Sequence, residues 1–178
     1  AIETLKGHGP KDFTELCMQA AEIMLMQGKV AENKEEARKM LEEVVASGKA
    51  FETFKDMVKA QGGNVDMIEN PELLPQSKFK TEIKSEESGD VKVLHSERLG
   101  VLAMQLGAGR ETKEQDVNHA VGLELACKRG DKVNKGDTIC IVYHDEELKP
   151  QWIEELYHAF ELTNEEVAPQ PIIEKVLS

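Results

Sequence analysis

Between Asn70 and Pro75 the chain changes its period, and that change constrains the fold more than any other feature. Upstream, apolar residues recur at helical spacing in three runs: Phe13, Leu16, Cys17, Ala20, Ile23 and Met24; Ala37, Met40, Leu41, Val44 and Val45; Phe51, Phe54, Met57 and Val58. Punctuation separates the runs. Gly9-Pro10 opens the first, because a proline's missing N–H costs nothing in a first helical turn, and Gly28 closes it. Asn33, three residues before Glu36, predicts an N-cap with a capping-box-like partner. Gly48 ends the second run and Gly62-Gly63 the third. Three amphipathic helices on short connections must pack on one another or on something else, so their Met and Phe stripes are read as core.

Beyond Asn70-Pro71 and Leu74-Pro75, two helix-breaking pairs, the pattern turns to short β-like segments. Phe79 to Lys84 alternates weakly, Glu87 to Asp90 reads as a turn, and Val91, Val93 and His95 share one side of the next strand. Ser96 is expected to cap a helical turn through Leu99, Leu102 and Met104. Val121, Leu123, Leu125 and Cys127 then alternate with Gly122, Glu124, Ala126 and Lys128, the period of a strand with one buried face. Ile139 to Tyr143 is continuously apolar and reads as a strand covered on both faces. Gly130-Asp131 and Gly136-Asp137 supply the turns between them. A last helix presents Ile153, Leu156, Tyr157 and Phe160 with Trp152 beside them. Ala168 to Pro171 is extended, and Ile172, Ile173, Val176 and Leu177 are expected to dock the terminus on the body. The predicted class is α/β (α+β), with a helical part over 1–75 and a mixed α/β domain over 76–178.

The net charge of −12 excludes a nucleic-acid surface and an anionic membrane as partners, since both require clustered Lys and Arg. No apolar run approaches the ~18 residues of a spanning helix. Cys17, Cys127 and Cys140 are too few and too scattered for a disulfide framework, which makes the cytoplasm the default compartment. Cys127 and Cys140 flank the same turns. Buried free thiols are favoured there, with a cross-strand disulfide as the alternative. The chain opens on Ala1 inside a helix-like pattern, as a piece of a longer protein would.

Gly107-Ala108-Gly109-Arg110 is the stretch best suited to chemistry: glycines let backbone N–H groups approach an anion, and Arg110 adds a planar cation. The third glycine of a dinucleotide fingerprint and the Gly-Lys-Ser/Thr of a P-loop are both missing, so the residues alone favour a tight surface turn. His95, His119 and His144 lack metal-ligand spacing. Glu86-Glu87 and Glu165-Glu166 read as solvated faces or caps.

LGAGRETKEQDVNHAVGLELACKRGDKVNKG, from Leu106 to Gly136, closely resembles the C-terminal signature of the pyrimidine-nucleoside phosphorylases, the thymidine phosphorylase group. MVKAQGGNVDMIENPELLP, from Met57 to Pro75, resembles the segment that precedes it in the same family. The resemblance covers nearly the whole chain and implies the C-terminal portion of such an enzyme, ending in a domain like a barrel-sandwich hybrid. It implies a homodimeric parent that carries out reversible phosphorolysis of thymidine- or uridine-type nucleosides, with phosphate as co-substrate. The phosphate loop, the groups on the base and the acidic ligand of a possible cation lie upstream of Ala1. No catalytic residue, metal ligand or cofactor is therefore expected in this piece, and its first partner is the missing N-terminal half. Gly107, Gly109, Arg110, Thr112 and Lys113 match the family pattern as supporting residues of cleft closure. A Gly-Asp-x-Val-x-x-Gly stretch at Gly130–Gly136 is also similar to biotinyl and lipoyl carrier domains, although Met-Lys-Met is absent. A carrier or a structural interaction module is the alternative.

Overall fold

The computed structural model of the chain describes residues 1–110 and 112–176. The chain divides into two compact units: Ala1–Leu73 together with the residues from Pro171 on, and Leu74–Gln170. Leu177, one of the four apolar residues expected to dock the terminus, lies outside the described residues, and Ile172 and Val176 are exposed.

The first unit is helical: α1 (Ile2–Leu5), α2 (Lys11–Gln27), α3 (Lys34–Ala46), α4 (Lys49–Ala60) and α5 (Asp66–Glu69), ending in a 3₁₀ turn at Pro71–Leu73. Asn33 caps α3 as its spacing predicts: its side chain accepts the Glu36 N–H at 2.9 Å, while the Glu36 carboxylate accepts the Glu32 N–H at 2.8 Å. α2 and α3 pack together, and a charged network ties them. Arg38 donates to both Glu15 oxygens, at 2.7 and 2.9 Å, and through Nε to the buried Glu22. This bidentate geometry suits guanidinium and carboxylate planes. In α4, Lys55 reaches Glu69 at 2.7 Å and lies over the Phe51 ring.

The apolar stripe of α2 is not core, contrary to its spacing. Phe13, Leu16 and Met24 are exposed, as is Cys17, and the side chain that α2 does bury is Glu22. Met57 on α4 and Val44 on α3 are exposed as well. A short helical unit offers one layer, and amphipathic faces need a second layer to cover them.

The second unit contains β1 (Phe79–Lys84), β2 (Gly89–Leu94), α6 (Ser96–Ala103), β3 (Gly122–Leu125), β4 (Lys132–Val133), β5 (Thr138–His144), α7 (Pro150–His158) and β6 (Phe160–Thr163). They form two antiparallel three-stranded sheets, ordered β1-β5-β3 and β4-β2-β6, with no closed barrel among the described residues. The two strands expected around the Gly-Asp turns do pair, with Leu125 opposite Cys140. Their connection does more than turn: β4 leaves to join the other sheet, against Gly89 and Asp90 of β2. Asp131 and Asp137 each accept a backbone N–H three residues back, at 2.7 and 2.8 Å, as aspartates of turns do.

One core serves both sheets. It takes Ile83 from β1, Val91 from β2, Val133 from β4, Ile139, Cys140 and Val142 from β5, Phe160 from β6, Leu99 and Leu102 from α6, and Leu156 from α7. Several local expectations shift against it. Gly89 and Asp90 are strand, not turn. β2 bulges between Val91 and Val93, so Val91 and Leu94 reach the core in place of Val91, Val93 and His95. Ser96 begins α6 without a side-chain cap. Ile141 and Tyr143 are half-buried, so β5 is fully covered on one face only. Phe160 belongs to β6, because the last helix stops at His158 and the chain pairs with β2.

Candidate functional site

The 107–118 loop leaves α6 through a wide π-type turn, Met104–Ala108. Two glycines let the chain do this for different reasons. Gly107 sits at φ +107°, where an L side chain is strained. Gly109 has an ordinary extended backbone, but a Cβ there would lie 3.0 Å from Met104 Cγ, so a side chain would press on Met104. Thr112 and Gln115 then close a small turn, the Thr112 N–H donating to Gln115 Oε1 at 3.2 Å.

Gly107 and Gly109 line a polar cleft of about 440 Å³ together with Gln105, Asp116, Lys149 and Trp152. The Lys149 ammonium lies 4.6 Å from the centre of the Trp152 ring, a cation–π contact at the start of α7. Arg110, Thr112 and Lys113 are exposed and do not form its wall. The five residues the sequence singles out are thus split: two glycines shape the cleft, and the three side chains with donors face water.

Asn118, to which the sequence reading assigned no role, closes the loop. Its N–H donates to the Gly107 carbonyl at 2.9 Å, and its side-chain oxygen accepts the Ala120 N–H at 3.0 Å. Its amide donates to Asp145 Oδ2 at 2.7 Å, while Asp145 Oδ1 accepts the Lys78 N–H at 2.7 Å. The Lys78 backbone bond and then the Asn118 bond hold the Asp145 carboxyl below the usual range. No motif could have shown this, since the partners are separated by 27 and 67 positions.

His144 and His95 are engaged locally. His144 is buried: its Nδ1 lies 2.6 Å from the Glu146 carbonyl, which can only accept, so that nitrogen carries the proton, and Nε2 lies 2.8 Å from Thr81 Oγ1. His95 meets the Glu161 carboxylate at 2.6 Å, and His119 is exposed. Among the described residues no group of three or more His, Cys, Asp or Glu could hold a metal. Cys127 and Cys140 are free and buried; burial first, then the charge of Asp131 or Cys127, pushes both thiols up to about 11. Such thiols are poor nucleophiles at neutral pH. No helix among the described residues is long and apolar enough to cross a membrane.

Residues 91–163 match the family model of the pyrimidine nucleoside phosphorylase C-terminal domain. The chain is 41% identical over 97% of its length to a pyrimidine-nucleoside phosphorylase of Bacillus subtilis (strain 168), and 40% identical over its full length to one of Staphylococcus aureus (strain USA300). A third, from Geobacillus stearothermophilus, is 40% identical over 99% of the chain. The chain spans about two fifths of these relatives, 40%, 41% and 41% of their lengths. With the C-terminal domain match inside an alignment that runs the length of the chain, the chain matches the C-terminal part of the pyrimidine-nucleoside phosphorylases.

Proposed function

We propose that this chain serves as the C-terminal part of an enzyme that cleaves pyrimidine nucleosides with phosphate, releasing the free base and a pentose 1-phosphate. The observation that carries the reading is the identity of about two residues in five along the whole chain to proteins named for that activity. Phosphorolysis needs phosphate held against C1′ of the sugar while the base departs with negative charge, and preorganised donors supply most of the acceleration. The 107–113 loop contributes Arg110 and Lys113 on a chain of net charge −12, which repels phosphate at long range. The groups that hold phosphate, leaving base and any cation are therefore assigned to the rest of the enzyme. The loop bearing Gly107, Gly109, Arg110, Thr112 and Lys113 is assigned to closing the substrate cleft. The exposed stripe of α2, Phe13, Leu16 and Met24, supports the same division, because it presents the apolar surface that a further part of the protein would cover. The working enzyme is proposed to be a homodimer acting in the cytoplasm.

The full-length protein, incubated with thymidine or uridine, is expected to release base only when phosphate is present, as followed by absorbance. The 178-residue chain alone is expected to release none. Absence of phosphate-dependent release by the full-length protein overturns the activity. Release by the chain alone, lost in Arg110→Ala, overturns the division of labour.

A further inference from the structure

We infer that Asn118 and Asp145 form a latch that sets the conformation of the 107–118 loop, and that they are positioning residues for it. The inference rests on the proposed role of that loop in cleft closure, which it deepens by naming what holds the loop.

The geometry is specific. A loop that leaves α6 at Gly107 must be returned to the body before β3 begins, and the Asn118 N–H to Gly107 carbonyl bond joins its two ends. That bond alone leaves the joined ends free to swing. The Asn118 side chain removes this freedom by donating to Asp145, which lies just past the end of β5, the central strand of its sheet. Asp145 is fixed in turn by the Lys78 N–H, on the residue before β1. One carboxylate thereby references the loop to two neighbouring strands, with each oxygen assigned one donor. Charge-assisted bonds of this kind are about twice as strong as neutral ones.

The donor and acceptor inventory makes the latch directional, and therefore testable. In Asn118→Asp, two carboxylates face each other with no proton between them. In Asp145→Asn, one amide group must turn its N–H₂ toward the other, or leave the Lys78 or the Ala120 N–H without an acceptor. The double exchange, Asn118→Asp with Asp145→Asn, restores every bond. The carboxylate now at position 118 accepts from the Ala120 N–H and from the amide now at position 145, whose oxygen accepts from the Lys78 N–H.

Trypsin provides the readout on the 178-residue chain, because Arg110 and Lys113 are cleavage sites inside the loop. Each single change is expected to speed cleavage at those two sites ~tenfold, the effect of losing about one such bond from the closed loop. Cleavage elsewhere should keep its rate, and the double exchange should return the loop to the original rate. Equal acceleration at all sites, or no recovery in the double exchange, overturns the latch. In the full-length enzyme the single changes are expected to lower kcat/KM by roughly ten- to a hundredfold, since small misplacements of a closing element are costly, with recovery in the double exchange. Rescued cleavage with unchanged kinetics keeps the latch and overturns the loop's part in catalysis.

Discussion

In the second unit Leu156, Val91, Val142 and Cys140 are enclosed almost completely, whereas in the first Phe13, Leu16 and Met24 are 44%, 41% and 69% exposed. The long side chain that α2 does enclose is a carboxylate, Glu22. One unit is organised around a continuous apolar core shared by two sheets and two helices. The other is joined by ion pairs: Arg38 with Glu15 and Glu22 between α2 and α3, and Lys55 with Glu69 between α4 and α5. The difference teaches that apolar packing is concentrated in the second unit, while the α2 face of the first leaves apolar side chains exposed. Ion pairs can orient helices, but they contribute little net stability where water screens them.

The largest effect expected from this contrast is on the core. Leu156→Ala removes a fully enclosed side chain and should cost about 2–5 kcal/mol in urea unfolding followed by tryptophan fluorescence. Leu16→Ala on α2 should cost no more than about 0.5 kcal/mol, as at other surface positions. Equal costs would erase the distinction between the units.

Next comes Arg38→Met, which leaves Glu22 buried without its partner. It should lower helical stability by about 1–3 kcal/mol, the range for an unsatisfied buried polar group. The same network predicts acid behaviour. The hydrogen bonds from Arg38 and then Gln19 hold the Glu15 carboxyl down to about 2 from its usual 4.5. A depressed carboxyl contributes stability that is fully present above its unfolded value and is lost as pH falls through the folded one. Far-UV circular dichroism should therefore show helical signal lost between about pH 4.5 and 2, with the Glu15 contribution to that step absent in Arg38→Met. An unchanged acid profile would remove the network from the account.

Local opening should be smaller still and should follow the boundary between the units. Limited proteolysis is expected to cut first near Asn70 to Pro75 or within the 107–114 loop, where the chain is not paired in sheets. Early cleavage between Val121 and Tyr143 would contradict the placement of buried, paired strands there. The smallest change in stability belongs to Arg110→Ala, within about 0.5 kcal/mol, while kcat/KM of the full-length enzyme falls. Unaltered kinetics would return Arg110 to an ordinary surface residue.

Local chemistry was readable in the sequence wherever one residue acts on neighbours three or four positions away. The Asn33 cap, the aspartate turns at Asp131 and Asp137, and the alternation that buries Val121 and Cys127 all follow from such short-range rules. The family was readable from two blocks of residues. Of the residues singled out in the loop, Gly107 and Gly109 line a polar cleft while Arg110, Thr112 and Lys113 do not, a division the sequence could not draw.

What only the tertiary structure decided is long in range. Helical spacing made Phe13, Leu16 and Met24 apolar on one side, but spacing does not state whether a partner layer is present. The β2 bulge moved the core face from Val93 to Leu94, because one extra residue reverses the alternation of a strand. β4 joined the sheet opposite to that of its neighbours, and Phe160 left its helix to pair with β2. Asn118 found Asp145, and Asp145 found Lys78, across 27 and 67 positions. The sequence by itself determined where helices, strands and turns could form, since those preferences are set by nearby atoms. Which faces are covered, and which polar groups meet, depended on segments brought together only when the chain closed.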